Sequence, residues 1–191
     1  MRMSRFLKAY GSQVLSVLAI VSLIGAGVIG HLPDESDTPD GPSDGGGTVI
    51  DVNKRYLSNA FPTAASFELL NQITNTKSYL YRALDDNSEI EGYVTIARGD
   101  GYLGYMKVVV AWSPEGVITN ISVPEQSEEV DYFSELYNQK FFDQYIGRSY
   151  TEPLILGKDI DAASGATYSS NGVAYGVRNG RDMLAKYLAS I

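Results

Sequence analysis

GYVTIARGDGYLGYMKVVVAWSPEGVITNISV, residues 92–123, carries the strongest β signal in the chain. Tyr93-Val94-Thr95-Ile96 is followed by a glycine-rich turn and then by Tyr105–Trp112, a run dominated by valine and aromatic residues. Ser113-Pro114-Glu115-Gly116 has the composition of a turn, and Val117–Val123 follows it. Strand, turn, strand, turn, strand predicts a three-stranded antiparallel meander. Working outward, Ser78–Ala83 reads as a further strand, and Val52–Ala60 as a short helix that Pro62 ends. Val130–Tyr145 reads as one helix with Phe133, Leu136, Tyr137 and Phe141 on one face. A last helix begins near Ser169, because Val173, Val177, Leu184 and Leu188 share a helical face. Strands in a run with helices at either end define an α+β domain, an antiparallel sheet with flanking helices.

Two short strings in this frame bear on chemistry. Gly99-Asp100-Gly101-Tyr102-Leu103-Gly104 satisfies GxGxxG, but a dinucleotide site needs that string between a strand and a helix, and here a strand follows. It reads instead as a hairpin turn whose glycines supply positive φ. The second string is Asp161-Ala-Ala-Ser-Gly-Ala-Thr-Tyr-Ser-Ser170, a small, polar loop feeding the last helix. Taken alone, its hydroxyl residues are ordinary helix caps. A helix start also offers unpaired N–H groups and the positive end of the helix dipole, which hold a phosphate without a basic side chain.

The second string resembles the flavinylation motif of the FMN-binding domain family: Asp, two variable residues, Ser or Thr, Gly, Ala, Thr, one variable residue, Thr. Asp161, Ser164, Gly165, Ala166 and Thr167 match, and Ser169 stands at the last position, keeping the hydroxyl. The family also has a Gly-Tyr-x-Gly segment opening a long strand, as in Gly101-Tyr102-Leu103-Gly104. Its acidic Glu-Thr-Pro-Gly segment corresponds to Glu128-Glu129-Val130-Asp131, where only Glu128 matches. Phe61–Phe67 resembles the family's opening segment, so the resemblance covers nearly all of the chain after residue 48. It implies FMN joined through its phosphate to Ser169 by a flavin transferase, with Thr167, Ala166, Gly165, Ser164, Asp161, Tyr102 and Glu128 as cofactor-binding residues. Thr167 and Ser170 are alternative acceptors. Tyr102, Tyr105 and Tyr168 are candidates to flank the flavin ring.

Composition narrows the chemistry. The chain has 191 residues, 44% of them hydrophobic, and a net charge of −8. That charge argues against nucleic acid, whose binding rests on neutralising phosphates. There is no cysteine, which excludes disulfides, cysteine-ligated iron–sulfur clusters and thioether-linked haem. The single histidine, His31, leaves no zinc site of the usual kind and no His-based catalytic triad. Redox work by this chain therefore requires an organic cofactor.

The N-terminal region has its own organisation. Ala9–Gly30 is uncharged over 22 residues, and a helix of that length spans about 33 Å, enough for a hydrocarbon core. Arg2, Arg5 and Lys8 precede it, and six acidic residues with no basic one follow by Asp51. The positive-inside rule places residues 1–8 in the cytoplasm, 9–32 as an uncleaved transmembrane anchor in membrane lipid, and the remainder outside. Pro33–Thr48, with Asp34, Glu35, Asp37, Asp40 and Asp44 among Pro, Gly and Ser, reads as a disordered acidic linker. Residues 49–191 form the extracytoplasmic domain.

With that anchor, the resemblance is to G subunits of Rnf electron-transport complexes, with C subunits of sodium-translocating NADH:quinone reductases as relatives. It implies an electron-transfer subunit working with other subunits of a membrane redox complex, rather than a stand-alone catalyst. A flavin-free extracytoplasmic binding or assembly module of the same fold is the competing reading. Ser169 in place of threonine and the altered 129–131 segment favour it, while the intact Asp161–Thr167 string opposes it.

Overall fold

The structure, a computed structural model, describes residues 49–191. The expected cytoplasmic segment 1–8, anchor 9–32 and linker 33–48 lie outside the described residues. Among the described residues no helix is long and apolar enough to cross a membrane.

Helix α1 (Val49–Ala60) leads into a five-stranded antiparallel sheet in simple sequence order, β1 (Ser66–Ile73), β2 (Ser78–Leu84), β3 (Ile90–Asp100), β4 (Tyr105–Trp112) and β5 (Ile118–Gln126). Helix α2 (Val130–Asn138), a 3-10 turn (Phe141–Tyr145) and the long α3 (Thr167–Leu188) complete the chain. The expected meander is thus the core of a wider sheet.

The valine run of β4 is explained by burial on both sides. Met106, Val108, Val110 and Trp112 join the cluster formed with Val173, Val177 and Leu184 of α3. Val109 and Ala111 point the other way, to Tyr56, Leu57 and Ala60 of α1. A strand covered on both faces cannot alternate polar and apolar residues, so it reads as a continuous apolar run. Inside this core the two buried polar side chains Thr95 and Trp112 satisfy each other, the indole donating to Thr95 Oγ1 at 3.0 Å.

One strand was not expected, and two expectations need correction. First, β1 is a strand whose alternation, Ser66-Phe67-Glu68-Leu69, is too short to read in sequence. Leu69 packs with the α1 cluster and Leu70 with the α3 cluster, and the register shift between Leu69 and Asn71 ends the alternation there. Second, 130–145 is not one helix. Lys140 takes a left-handed conformation, φ 54°, which ends α2 and starts the 3-10 turn. Third, the glycines of the 99–104 hairpin are not there for positive φ, since none of the three has one. They are there for space. A Cβ on Gly99 would lie 2.0 Å from the Gly172 carbonyl oxygen, one on Gly101 2.5 Å from Glu128 Oε1, and one on Gly104 2.9 Å from Ser127 Cβ.

Helix α3 approaches the sheet through a stripe of its own, Gly172, Gly176 and Gly180. Added Cβ atoms there would meet Met106 Cε at 2.8 Å, Val108 Cγ2 at 2.5 Å and Thr95 Oγ1 at 2.4 Å. The stripe seats α3 against β3 and β4 and so fixes where its N-terminus emerges. That N-terminus, the β3–β4 hairpin and the segment after β5 are the three walls of the candidate site.

Candidate functional site

The loop before α3 is built from backbone contacts. Gly165, at φ 79°, makes the turn that brings the chain into the helix. Ser170 Oγ accepts from the Ala163 N–H at 3.0 Å, closing the loop on the helix it feeds. Two glutamines hold the outer side. Gln139 Oε1 accepts from the Ser164 N–H at 2.7 Å while its Nε2 donates to the Ser164 carbonyl at 2.9 Å. Gln144 does the same to Asp161, at 2.8 and 3.0 Å. Each amide imitates a neighbouring β-strand, pairing both backbone groups of one residue. Sequence reasoning missed both glutamines.

Asp161 and Ser164 are anchored through their backbones and neither lines the cleft described below. The N-cap of α3 is Ala166, and no side chain caps the helix. The hydroxyls of Ser164, Thr167, Ser169 and Ser170 therefore leave the first-turn N–H groups of a long helix to other partners.

The cleft itself has a volume of about 420 Å³, within the range of small-molecule sites. Tyr102, Leu103, Glu128, Gly165, Ala166, Thr167 and Ser169 line it, together with Glu129, Tyr132 and Tyr168. Six of the eight sequence-nominated residues are thus brought together from three separate segments. At the mouth the rings of Tyr102 and Tyr168 sit 5.2 Å apart, tilted by 46°, and both residues are largely exposed, at 68% and 64%. Tyr105, the third ring candidate, is elsewhere. It lines a different cleft with Arg98, Lys107 and Glu125, and the Arg98 guanidinium lies 5.5 Å from its ring centre.

At the inner end Ser169, only 2% exposed, donates its hydroxyl to Glu128 Oε2 at 2.7 Å. The other carboxylate oxygen, Oε1, accepts from the Leu103 N–H at 2.8 Å. Gly101 is what lets the carboxylate seat against the hairpin. Burial alone would push the Glu128 carboxyl up, but bonds from Ser169 and from the backbone at Leu103, Tyr102 and Gly104 outweigh it and hold it below the ordinary glutamate value. Glu128 is therefore a carboxylate at neutral pH. No nucleophile–base pair is visible in the linear sequence, yet the fold creates a buried hydroxyl–carboxylate pair from residues 41 positions apart.

Fold and site together define an α+β domain with a hydroxyl-floored, tyrosine-rimmed cleft at an uncapped helix N-terminus. Residues 101–182 match the family model described as FMN-binding domain, a span that begins at the β3–β4 hairpin and contains every nominated residue. Among solved structures the chain is similar to NqrC from Shewanella oneidensis, at 18% identity and a TM-score of 0.44, covering 62% of this chain and 66% of that one. The chain therefore spans just under two thirds of NqrC. No curated protein matches the chain. The residues present fit a flavin mononucleotide: two exposed aromatic rings at the mouth suit a planar ring, and free helix N–H groups suit a phosphate.

Proposed function

We propose that residues 49–191 form an FMN domain with the flavin joined through its phosphate to Ser169. The observation that carries this reading is the placement of Ser169 Oγ inside a cleft at the uncapped start of α3, within the span matched to the FMN-binding domain. The flavin, when bound, supplies one- and two-electron chemistry, and the protein supplies attachment, orientation and a local field. Tyr102 and Tyr168 flank the ring, the α3 N-terminus holds the phosphate, and Gln139 and Gln144 keep the loop in shape.

The wider reading is an electron-transfer subunit of an Rnf-like ion-translocating membrane complex. The apolar segment 9–32 anchors it in lipid, the domain lies outside the cytoplasm, and a flavin transferase matures it. The charge asymmetry around Ala9–Gly30 and the order of hairpin, acidic segment and motif support this. The lack of cysteine and of any histidine beyond His31 leaves an organic cofactor as the redox group.

A specific observation also favours the flavin-free module. Ser169 is nearly sequestered and already bonded to a carboxylate. One experiment separates the two. The full chain is co-expressed with a flavin transferase, denatured and run on a gel. The flavin reading expects a fluorescent band that survives denaturation, disappears in Ser169→Ala and persists in Thr167→Ser and Ser170→Ala. A dark wild-type band beside a labelled control acceptor makes the flavin-free module the better account.

A further inference from the structure

We infer that Glu128 is a catalytic base built into the acceptor, taking the proton of Ser169 as its hydroxyl attacks an activated flavin phosphate. This rests on the flavin reading above and adds to it a role for one of this chain's own residues.

The geometry is specific. Ser169 donates to Glu128 Oε2 at 2.7 Å, within the distance at which a carboxylate receives a proton from a nucleophile. Donation commits the hydroxyl hydrogen to the carboxylate and leaves the oxygen lone pairs unengaged by it, in a residue that lines the cleft. The carboxylate is immobilised in turn. Its other oxygen is held by the Leu103 N–H at 2.8 Å, and Gly101 leaves room for it where any side chain would collide. Nucleophile, base and a group that orients the base are the three parts of an activated hydroxyl. Phosphoryl transfer to a serine hydroxyl in kinases uses a carboxylate in the same position, although there the enzyme supplies it.

A purely structural role accounts less well for these contacts. A buried carboxylate is costly, and a serine hydroxyl at the start of a helix has a cheaper partner in its own backbone. Here α3 is left without a side-chain cap while Ser169 points to Glu128 instead. The titratable groups nearest along the chain, Glu129 and Asp131, are exposed.

The step balances as follows. The Ser169 Oγ–phosphorus bond forms as the pyrophosphate P–O bond of a flavin dinucleotide breaks. The nucleoside monophosphate leaves with the bonding electron pair. The Ser169 proton passes to Glu128 and then to water. Nothing is oxidised or reduced. The transferase supplies the donor and the charge stabilisation on the leaving side.

The test uses the full-length chain in detergent with a purified flavin transferase and flavin adenine dinucleotide, following intact mass with time. Glu128→Gln preserves shape and keeps an oxygen for the Leu103 N–H, but it turns an amide donor towards Ser169. Its kcat for labelling is expected to fall about a hundredfold or more, with KM for the acceptor unchanged. Raising the pH should narrow the gap to wild type, as solvent base replaces the carboxylate. Glu128→Asp, which keeps the acid but draws it back, should fall between the two, and it serves if Glu128→Gln does not melt cooperatively. Labelling of either variant at the wild-type rate, or a raised KM with kcat intact, overturns the proposal. If the wild type itself takes no label while a control acceptor does, the flavin reading fails and this inference with it, an outcome distinct from rapid labelling of the variants.

Discussion

At the scale of single residues, Glu128 also sets a pH dependence of stability. Its folded-state value is lowered from the ordinary 4.5. A lowered carboxylate contributes stability above its unfolded value, and the contribution is lost as pH falls through the folded one. Thermal melts of wild type and Glu128→Gln should therefore differ most at neutral pH and converge as pH falls past the ordinary glutamate value and through the lowered folded one. A gap that stays constant down to strongly acidic pH would remove Glu128 from the linkage. The residues around it differ in how legible they were. Gly165, Ala166, Thr167 and Ser169 lie within one short stretch and needed only a motif. Glu128 and Tyr102 were nominated by resemblance, and the fold brought them to the same cleft. Asp161 and Ser164 were chosen for their side chains but are held by their backbones. Gln139 and Gln144 left no trace, because a side chain bonding to a distant backbone obeys no period.

At the scale of elements, the apolar patterning of β2 to β5 and of α3 was readable, since burial leaves a periodic or continuous signature. What was not readable had lost its period for a physical cause: the bulge in β1, and the left-handed Lys140 that divides the 130–145 segment. The glycine stripe of α3 was legible in principle, as Gly172, Gly176 and Gly180 recur every fourth residue. It carries a sharp expectation. A methyl on Gly180 would sit 2.4 Å from Thr95 Oγ1, the acceptor of the buried Trp112 indole N–H. Gly180→Ala should thus cost about 1–3 kcal/mol through overpacking and lower Tm by several degrees. It should also change the tryptophan fluorescence, since Trp112 is the single tryptophan. An unaltered melt and spectrum would mean that α3 has slack to move away from the sheet.

At the scale of the whole molecule, the domain has apolar clusters on both faces of its sheet, one under α1 and one under α3. Among the described residues, the members of both clusters run from Tyr56 onward. Residues 49–191 are therefore expected to fold as an independent unit, soluble and with one cooperative thermal transition. Aggregation of that fragment, or a melt without a transition, would mean that the N-terminal segment contributes to the core.

The strand order has a consequence in time. Each strand of the sheet pairs with its immediate neighbour in sequence, so hairpins can close one after another as a chain emerges N-terminus first. The cleft cannot. Tyr102 and Glu128 come earlier in the chain, whereas Ser169 arrives with α3, whose packing residues run on to Leu184. The pairing of Glu128 with Ser169, across 41 positions, is thus expected among the later events of folding. A modification that needs both would pass over chains cut or caught before α3 has docked.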